Sequence, residues 1–411
     1  MSVQQTNLAA IANAIRQKEG STAAIPAKQF AARILALQTG GLPEGLRTIA
    51  LSASDPEGGA VSGGGFASDG MTLTVDSVTQ NGYLFGGWQE NGEKVSADEA
   101  YTFQVAFDRH LTAVFNKILG PVFTMVPLPT GATSVIDITY GNGIFVAISN
   151  GGTRNLVYST DGISWNFSAK LTTAVWGSVT FGNGTFVAVA YKDTGNASYS
   201  TKAAYSTDGV NWSLATLPAS ANWKSVAYGN GRFVAVTYGQ KHTAYSVNGK
   251  AWTGVLKPDV FYSYSIVYGQ DKFVCVAMYT DILLYSTNGS SWNKAYMPSN
   301  GYWGCLAYGN GIFVAADQRN GLAAYSADGV HWTESTFPRV ALWTSITYGN
   351  GKFVAISGGT AGSSIAAYSI DGINWVEMEM PISASWTSIT YGKDKFVAVA
   401  RGIEQAAYSL G

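Results

Sequence analysis

The chain has 411 residues, of which 46% are hydrophobic and 12% charged, and its formal net charge is −1. That length holds two or three domains, while near-neutrality and the lack of a basic run exclude a field that would attract nucleic acid. No apolar run of about 18 residues is present to insert in a membrane, and 48 Gly, 12 Trp and 23 Tyr point to short strands, tight turns and aromatic packing between sheets.

Residues 1–41 predict two short amphipathic helices. Leu8, Ile11, Ala12 and Ile15 keep helical spacing, with Thr6 or Asn7 as cap and Gly20 as stop. Pro26 opens a second helix that carries Phe30, Ile34 and Leu37 on one stripe and ends at Gly40 and Gly41. Two such helices cannot make a core alone, so the stripes are expected to need a partner: the next domain, another copy of the chain or another protein. The N-terminus lacks a basic start followed by an apolar core, so no Sec signal peptide is expected. The stretch IANAIRQKEGSTAAIPAKQFAARI resembles N-terminal helical segments of phage tail and baseplate-associated proteins. That resemblance implies docking to other virion proteins.

Residues 42–118 show period-2 patterns at Thr72–Val75 and Tyr101–Val105 between Gly-rich breaks. The stretch GYLFGGWQENGEKVSADEAYTFQVAFDRHLTAVF resembles the InlB-type B-repeat, a small β-rich module used as a spacer or adhesion unit. Trp88 reads as core and His110 as a surface residue.

Residues 119–411 are repetitive. The element Y-G-N-G-x-F-V-A starts at Tyr140, Phe181, Tyr228, Tyr268, Tyr308, Tyr348 and Tyr391. A second element, Y-S-x-(D/N)-G-x-x-W, starts at Tyr158, Tyr205, Tyr245, Tyr285, Tyr325 and Tyr368, with a truncated copy at Tyr408. A period of about 40 residues holding four strand patterns is the size of a propeller blade. In one unit the strands are 343–348, 352–357, 366–369 and 375–380, the last ended by Pro381. The fold expected is therefore mainly β: a seven-bladed β-propeller after a small β module and an N-terminal helical hairpin. The seventh unit lacks a fourth strand. Phe123 stands six residues before Pro129, the spacing of Trp375 and Pro381, so residues 123–129 should close the last blade and remove an open edge. Five Trp begin first strands (Trp176, Trp223, Trp303, Trp343, Trp386), with Val135 and Ser263 in the other two units. They are expected to pack between blades, with a ligand platform at the channel mouth as the alternative. Cys275 and Cys305 lie in apolar strands and read as buried free thiols.

The S-x-(D/N)-G-x-x-W turn resembles the Asp-box of sialidase-like propellers. In that family it is a structural turn on the face opposite the ligand site. Asp161, Asp208, Asn248, Asn288, Asp328 and Asp371 are accordingly expected to accept turn N–H groups rather than act chemically.

Turns joining strands one to two and three to four keep nearly constant length, whereas those joining two to three vary, as Tyr191–Lys202 and Tyr279–Asp281 illustrate. Variable loops on a constant scaffold suit recognition. Four of the five Arg after Pro121 fall on the face of these variable loops: Arg154, Arg319, Arg339 and Arg401. Tyr191, Tyr199, Tyr238, Tyr262, Tyr279 and Tyr302 accompany them. Aromatic rings with planar cationic forks suit an acidic glycan, an anionic wall polymer or a peptide. No catalytic, metal or cofactor motif is found: there is no P-loop, G-x-S-x-G or H-E-x-x-H, and His242 and His331 lack ligand spacing. Sialidase-type chemistry would need three convergent Arg, a Tyr nucleophile with a Glu partner and an acid Asp; Glu404 is the only loop Glu near the Arg set. The resemblances together imply an exposed virion appendage in a phage tail or capsid, oligomeric, that binds the host surface without catalysis. A structural decoration protein and a glycan hydrolase are the alternatives.

Overall fold

A computed structural model describes residues 45–411 apart from 81–82, 118, 151–155, 170, 172–173, 196–197 and 411. The expected helices of residues 1–41 lie outside the described residues, as does Arg154. All regular structure among the described residues is β. The chain divides into two compact units that meet between Leu119 and Gly120.

Among the described residues the first unit has eight strands: β1 Leu46–Ala53, β2 Gly59–Ser62, β3 Gly65–Ser68, β4 Thr72–Thr79, β5 Tyr83–Glu90, β6 Glu93–Ser96, β7 Ala100–Gln104 and β8 Arg109–Lys117. They form a sheet ordered β3-β1-β8-β5-β6 and a second ordered β2-β4-β7. The strand β1 runs parallel to β8, and the two expected period-2 segments pair with each other as β4 and β7. Alternation along β8 sends Leu111, Ala113 and Phe115 inward, where Trp88 is fully buried. The Trp88 indole N–H donates to the Glu99 carbonyl at 3.1 Å. His110 is exposed. Arg109 is a half-buried charge of this unit. It donates to both Glu90 oxygens and lies 4.3 Å over the Phe103 ring, so its burial is offset by a bidentate partner.

In the second unit each first strand forms a hairpin with its second strand. Trp343–Gly349 pairs with Lys352–Ser357, and the same register recurs in the other six repeats. Both central residues of these hairpin turns have positive φ, such as Asn310 at 47° and Gly311 at 80°. That is the type I′ geometry whose twist matches the strands. The glycine after each element's opening aromatic lies flat under the corresponding ring of the next repeat. Gly141 faces Phe181, Gly182 faces Tyr228, Gly229 faces Tyr268, Gly269 faces Tyr308, Gly309 faces Tyr348 and Gly349 faces Tyr391. Gly392 then faces Tyr140, which brings the last repeat back to the first. Thr124–Pro127 pairs antiparallel with Gln405–Leu410 at the other end of the chain, with Tyr408 opposite Thr124. The closing strand expected from the Phe–Pro spacing is thus in place.

One expectation fails in detail. Pro381 does not end its strand: Val376–Gly392 runs through it into the first strand of the next repeat. The register jumps from Ile365↔Glu379 to Ser363↔Ala384, so Pro381 falls in a bulge where no ladder donor is required. All five first-strand Trp are 0–1% exposed. They are packing residues, and the platform alternative does not hold. Cys275 and Cys305 are buried free thiols.

Candidate functional site on the loop face

The face bearing the one-to-two and three-to-four turns is saturated by its own hydrogen bonds. In the repeat at Ser326, the Ser Oγ accepts the Gly329 N–H at 2.9 Å, and Asp328 Oδ1 accepts the N–H of Val330 and His331 at 2.8 Å. The same bonds recur at Asp161, Asp208, Asn248, Asn288 and Asp371. Partial burial opposes ionisation of Asp161 and Asp208, yet the N–H and hydroxyl donors outweigh it and hold both near about 2. Carboxylates committed in this way are not free for chemistry.

The opposite face is different. Three residues before each repeat's opening aromatic stand Asp137, Ser178, Ser225, Ser265, Cys305, Ser345 and Ser388, and all seven line one cavity of about 300 Å³. Several of these side chains stitch neighbouring repeats. Asp137 Oδ2 accepts the Val179 N–H at 2.9 Å, Ser345 Oγ accepts that of Ile389 at 3.2 Å, and the Ser388 hydroxyl donates to Asp137 Oδ1 at 2.8 Å. Burial pushes the Asp137 carboxyl up against these bonds.

A second cavity, of about 520 Å³, opens beside it. Its walls include Lys192, Lys224 and Arg401, the rings of Tyr191, Tyr238 and Tyr264, and Asn150. No carboxylate is among its described lining residues. Lys224 Nζ lies 4.1 Å over the Tyr264 ring, which orients the cation without neutralising it. From this cavity a row of tyrosines runs across four repeats. Ring centroids are 6.5 Å apart for Tyr191–Tyr238, 5.1 Å for Tyr238–Tyr262, 5.5 Å for Tyr262–Tyr279 and 4.8 Å for Tyr279–Tyr302. The Arg319 guanidinium ends the row, 3.7 Å over Tyr302. Burial first and the neighbouring Tyr279 second push the Tyr238 hydroxyl up to about 12, so it stays a protonated donor.

The expected site residues are therefore partly gathered. Tyr191, Tyr238, Tyr279, Tyr302, Arg319 and Arg401 share this face, and the two Arg make no ion pair among the described residues. Tyr199 is 46% exposed in the same turn as Tyr191, with its ring outside the row. Arg339 pairs with Glu377 at 2.8 Å and lines neither cavity. Glu404 is held by the closing segment, Oε1 accepting the Gly131 N–H at 2.7 Å. Lys192, Lys224 and Tyr264 were not anticipated. Lys224 and Tyr264 occupy the position four before the opening aromatic, where other repeats have Ile136, Gly177, Gly304, Thr344 and Thr387; that departure from the repeat was the available signal.

Comparison with known proteins fits this division. Residues 49–119 match the family model of the divergent InlB B-repeat domain. No curated protein matches the chain. Among solved structures, a streptogramin B lyase aligns over 70% of this chain and 98% of its own, at 13% identity and a TM-score of 0.61. Virginiamycin B lyase from Staphylococcus aureus covers 70% and 99% at 13% identity and a TM-score of 0.62. YCF48 bound to D1 peptide covers 71% and 96% at 14% identity and a TM-score of 0.56. The second unit is a β-propeller. At such identities the likeness concerns the propeller fold and carries neither activity nor ligand across.

Proposed function

We propose that this is a phage virion protein, placed in the tail or capsid as an exposed appendage, which binds an anionic glycan or wall polymer of the host surface. In this reading the propeller has seven blades, the Asp-box-like turns are its scaffold, and the loop face is its binding surface. Residues 1–41 attach it to other virion proteins or to further copies of itself, and the B-repeat-like unit serves as spacer or adhesion module. The observation that carries the binding reading is the 520 Å³ cavity: three cationic side chains and three tyrosines line it with no carboxylate among the described residues. Uncompensated cations in a concave aromatic site favour an anionic ligand. The virion assignment draws support from the resemblance at residues 11–34, and the spacer or adhesion role from the B-repeat match at 49–119.

The test is binding of the purified chain to host cell walls and to walls stripped of anionic polymer. Arg401→Ala should weaken binding by about tenfold or more, as loss of one partner in a desolvated charge contact does, and stripping should abolish it. Unchanged binding in both arms would remove the site from this face. Release of reducing ends from the polymer would replace binding with catalysis. Firm retention in the particle with no wall binding would favour a structural decoration.

A further inference from the structure

We infer that the ligand is an extended chain of carboxylate-bearing sugars and that Tyr279 is the residue that carries it across the face; this rests on the binding reading above. Tyr279 has φ of 65°, a left-handed backbone that a bulky aromatic residue seldom adopts. The preceding repeat shows what the fold alone requires at that point. There Gly239 has φ of 72°. Both residues are bulged out of the ladder: the pairing skips from Tyr238↔Tyr262 to Gln240↔Phe261, and from Met278↔Tyr302 to Thr280↔Gly301. Glycine satisfies the bulge without strain, so the tyrosine is held against a local preference, as residues at functional sites are.

What the tyrosine adds is continuity. The residue is 53% exposed, and its ring touches both Tyr262 and Tyr302, which belong to different crossing strands. It joins them into a single row that starts at the cationic cavity and ends at Arg319. Tyr191 and Tyr238 both line the cavity, so a carboxylate held there and a second one at Arg319 are separated by three further ring contacts, of 5.1, 5.5 and 4.8 Å between centroids, and one sugar cannot reach both. The rings between offer apolar faces for the C–H sides of pyranoses and hydroxyls for hydrogen bonds. A polyol phosphate brings the charge but no ring to stack.

The experiment is calorimetric titration of the full chain with oligogalacturonates of increasing length, starting from the monosaccharide, and with polyglycerol phosphate. Affinity should rise with oligogalacturonate length and exceed that for polyglycerol phosphate. Tyr279→Gly should bind long chains about tenfold more weakly, bind the monosaccharide like the wild type, and unfold at an equal or higher denaturant concentration. Tyr279→Asn, also at ease in this backbone region, should match it. Length-independent affinity, a preference for polyglycerol phosphate, or wild-type binding of long chains by Tyr279→Gly would overturn the inference. If Arg401→Ala still lost cell-wall binding in those cases, the binding reading would stand; if it did not, both would fall.

Discussion

The two faces of the propeller are built from the same repeats under opposite constraints. On the turn face the Ser and Asp or Asn side chains bond within their own turn, Asn142, Asn230, Arg232 and Lys393 reach carbonyls of other turns, and the sequence hardly varies: Ser, Asp or Asn, Gly, then Trp. On the loop face Arg339 and Lys202 are paired with carboxylates, but around the second cavity cations and tyrosines gather with no carboxylate among the described lining residues. Constancy within a repeat protein thus marks where geometry is being satisfied, and departure marks where a side chain is free to face a ligand.

The strongest way to break this contrast is at the contact between repeats on the turn side. A Cβ at Gly309 would overlap the Tyr348 ring. Two residues on, a Cβ at Gly311 meets open space and only the φ of 80° is unfavourable. Gly309→Ala should therefore cost about 3 kcal/mol or more by forced repacking, whereas Gly311→Ala should cost about 1 kcal/mol. Denaturant midpoints of the two variants test the ordering, and equal losses would show that the ring contact is not what joins the repeats.

The next effect concerns a junction whose packing departs from the repeat by a buried charge. Ser263 replaces the first-strand Trp, and Lys257 replaces a residue that is Leu217, Met297, Phe337 or Met380 elsewhere, all buried. Lys257 is 2% exposed, with Nζ donating to the Thr237 carbonyl at 2.9 Å and to Ser263 Oγ at 2.8 Å. These partners are the chain neighbours of Tyr238 and Tyr262, so the departure lies next to the tyrosine row. Burial pulls the Lys257 amine down from 10.5 to about 8, corresponding to roughly 3 kcal/mol of unfavourable charge burial. Below pH 8 folded and unfolded chains are both protonated and the cost is complete. Between 8 and 10.5 the folded chain loses its proton first, so stability rises with pH. A Lys257→Met, Ser263→Trp double variant should be more stable than the wild type at pH 7 by about 1–3 kcal/mol. The gap should narrow as pH rises from 8 to 10.5. A gap independent of pH would assign the gain to packing alone.

These contrasts explain what was legible beforehand. The repeat positions fix the strands closely: residues 352–357 were expected as a strand and form one, and the closing strand followed from a Phe–Pro spacing. Hairpin pairing is local, so sequence reports it. The through-running strands were missed because Pro381 reads as a stop, and only the register of its partner shows that it lies in a bulge. In the site, counting Arg on variable loops found Arg319 and Arg401. It also selected Arg339, whose partner Glu377 lies in the next repeat, a pairing that spacing does not reveal. The tyrosine row depends on rings from strands of four repeats coming together, which no period within the chain encodes.

The smallest effect sharpens the contrast from the turn side. Five of the seven hairpin turns place Asn-Gly at the two left-handed positions, but Gln270-Asp271 and Lys393-Asp394 do not. Asp271 has φ of 55° and Asp394 φ of 57°, so a residue with a Cβ sits where the other repeats have glycine. Asp tolerates this region better than most residues but not as well as Gly. Asp271→Gly should raise stability by about 0.5–1 kcal/mol, the local gain exceeding the extra unfolded-state entropy of glycine. Asp394→Gly should do the same, since the geometry is shared, and the two should add because they lie in different repeats. Urea titration of the single and double variants measures this, with wall binding unchanged throughout. A loss of stability in both singles would mean that the weak contacts from the Tyr268 and Tyr391 hydroxyls to these carboxylates, at 3.4 and 3.5 Å, outweigh the backbone preference. The turn face would then hold side-chain bonds beyond those the repeat itself provides.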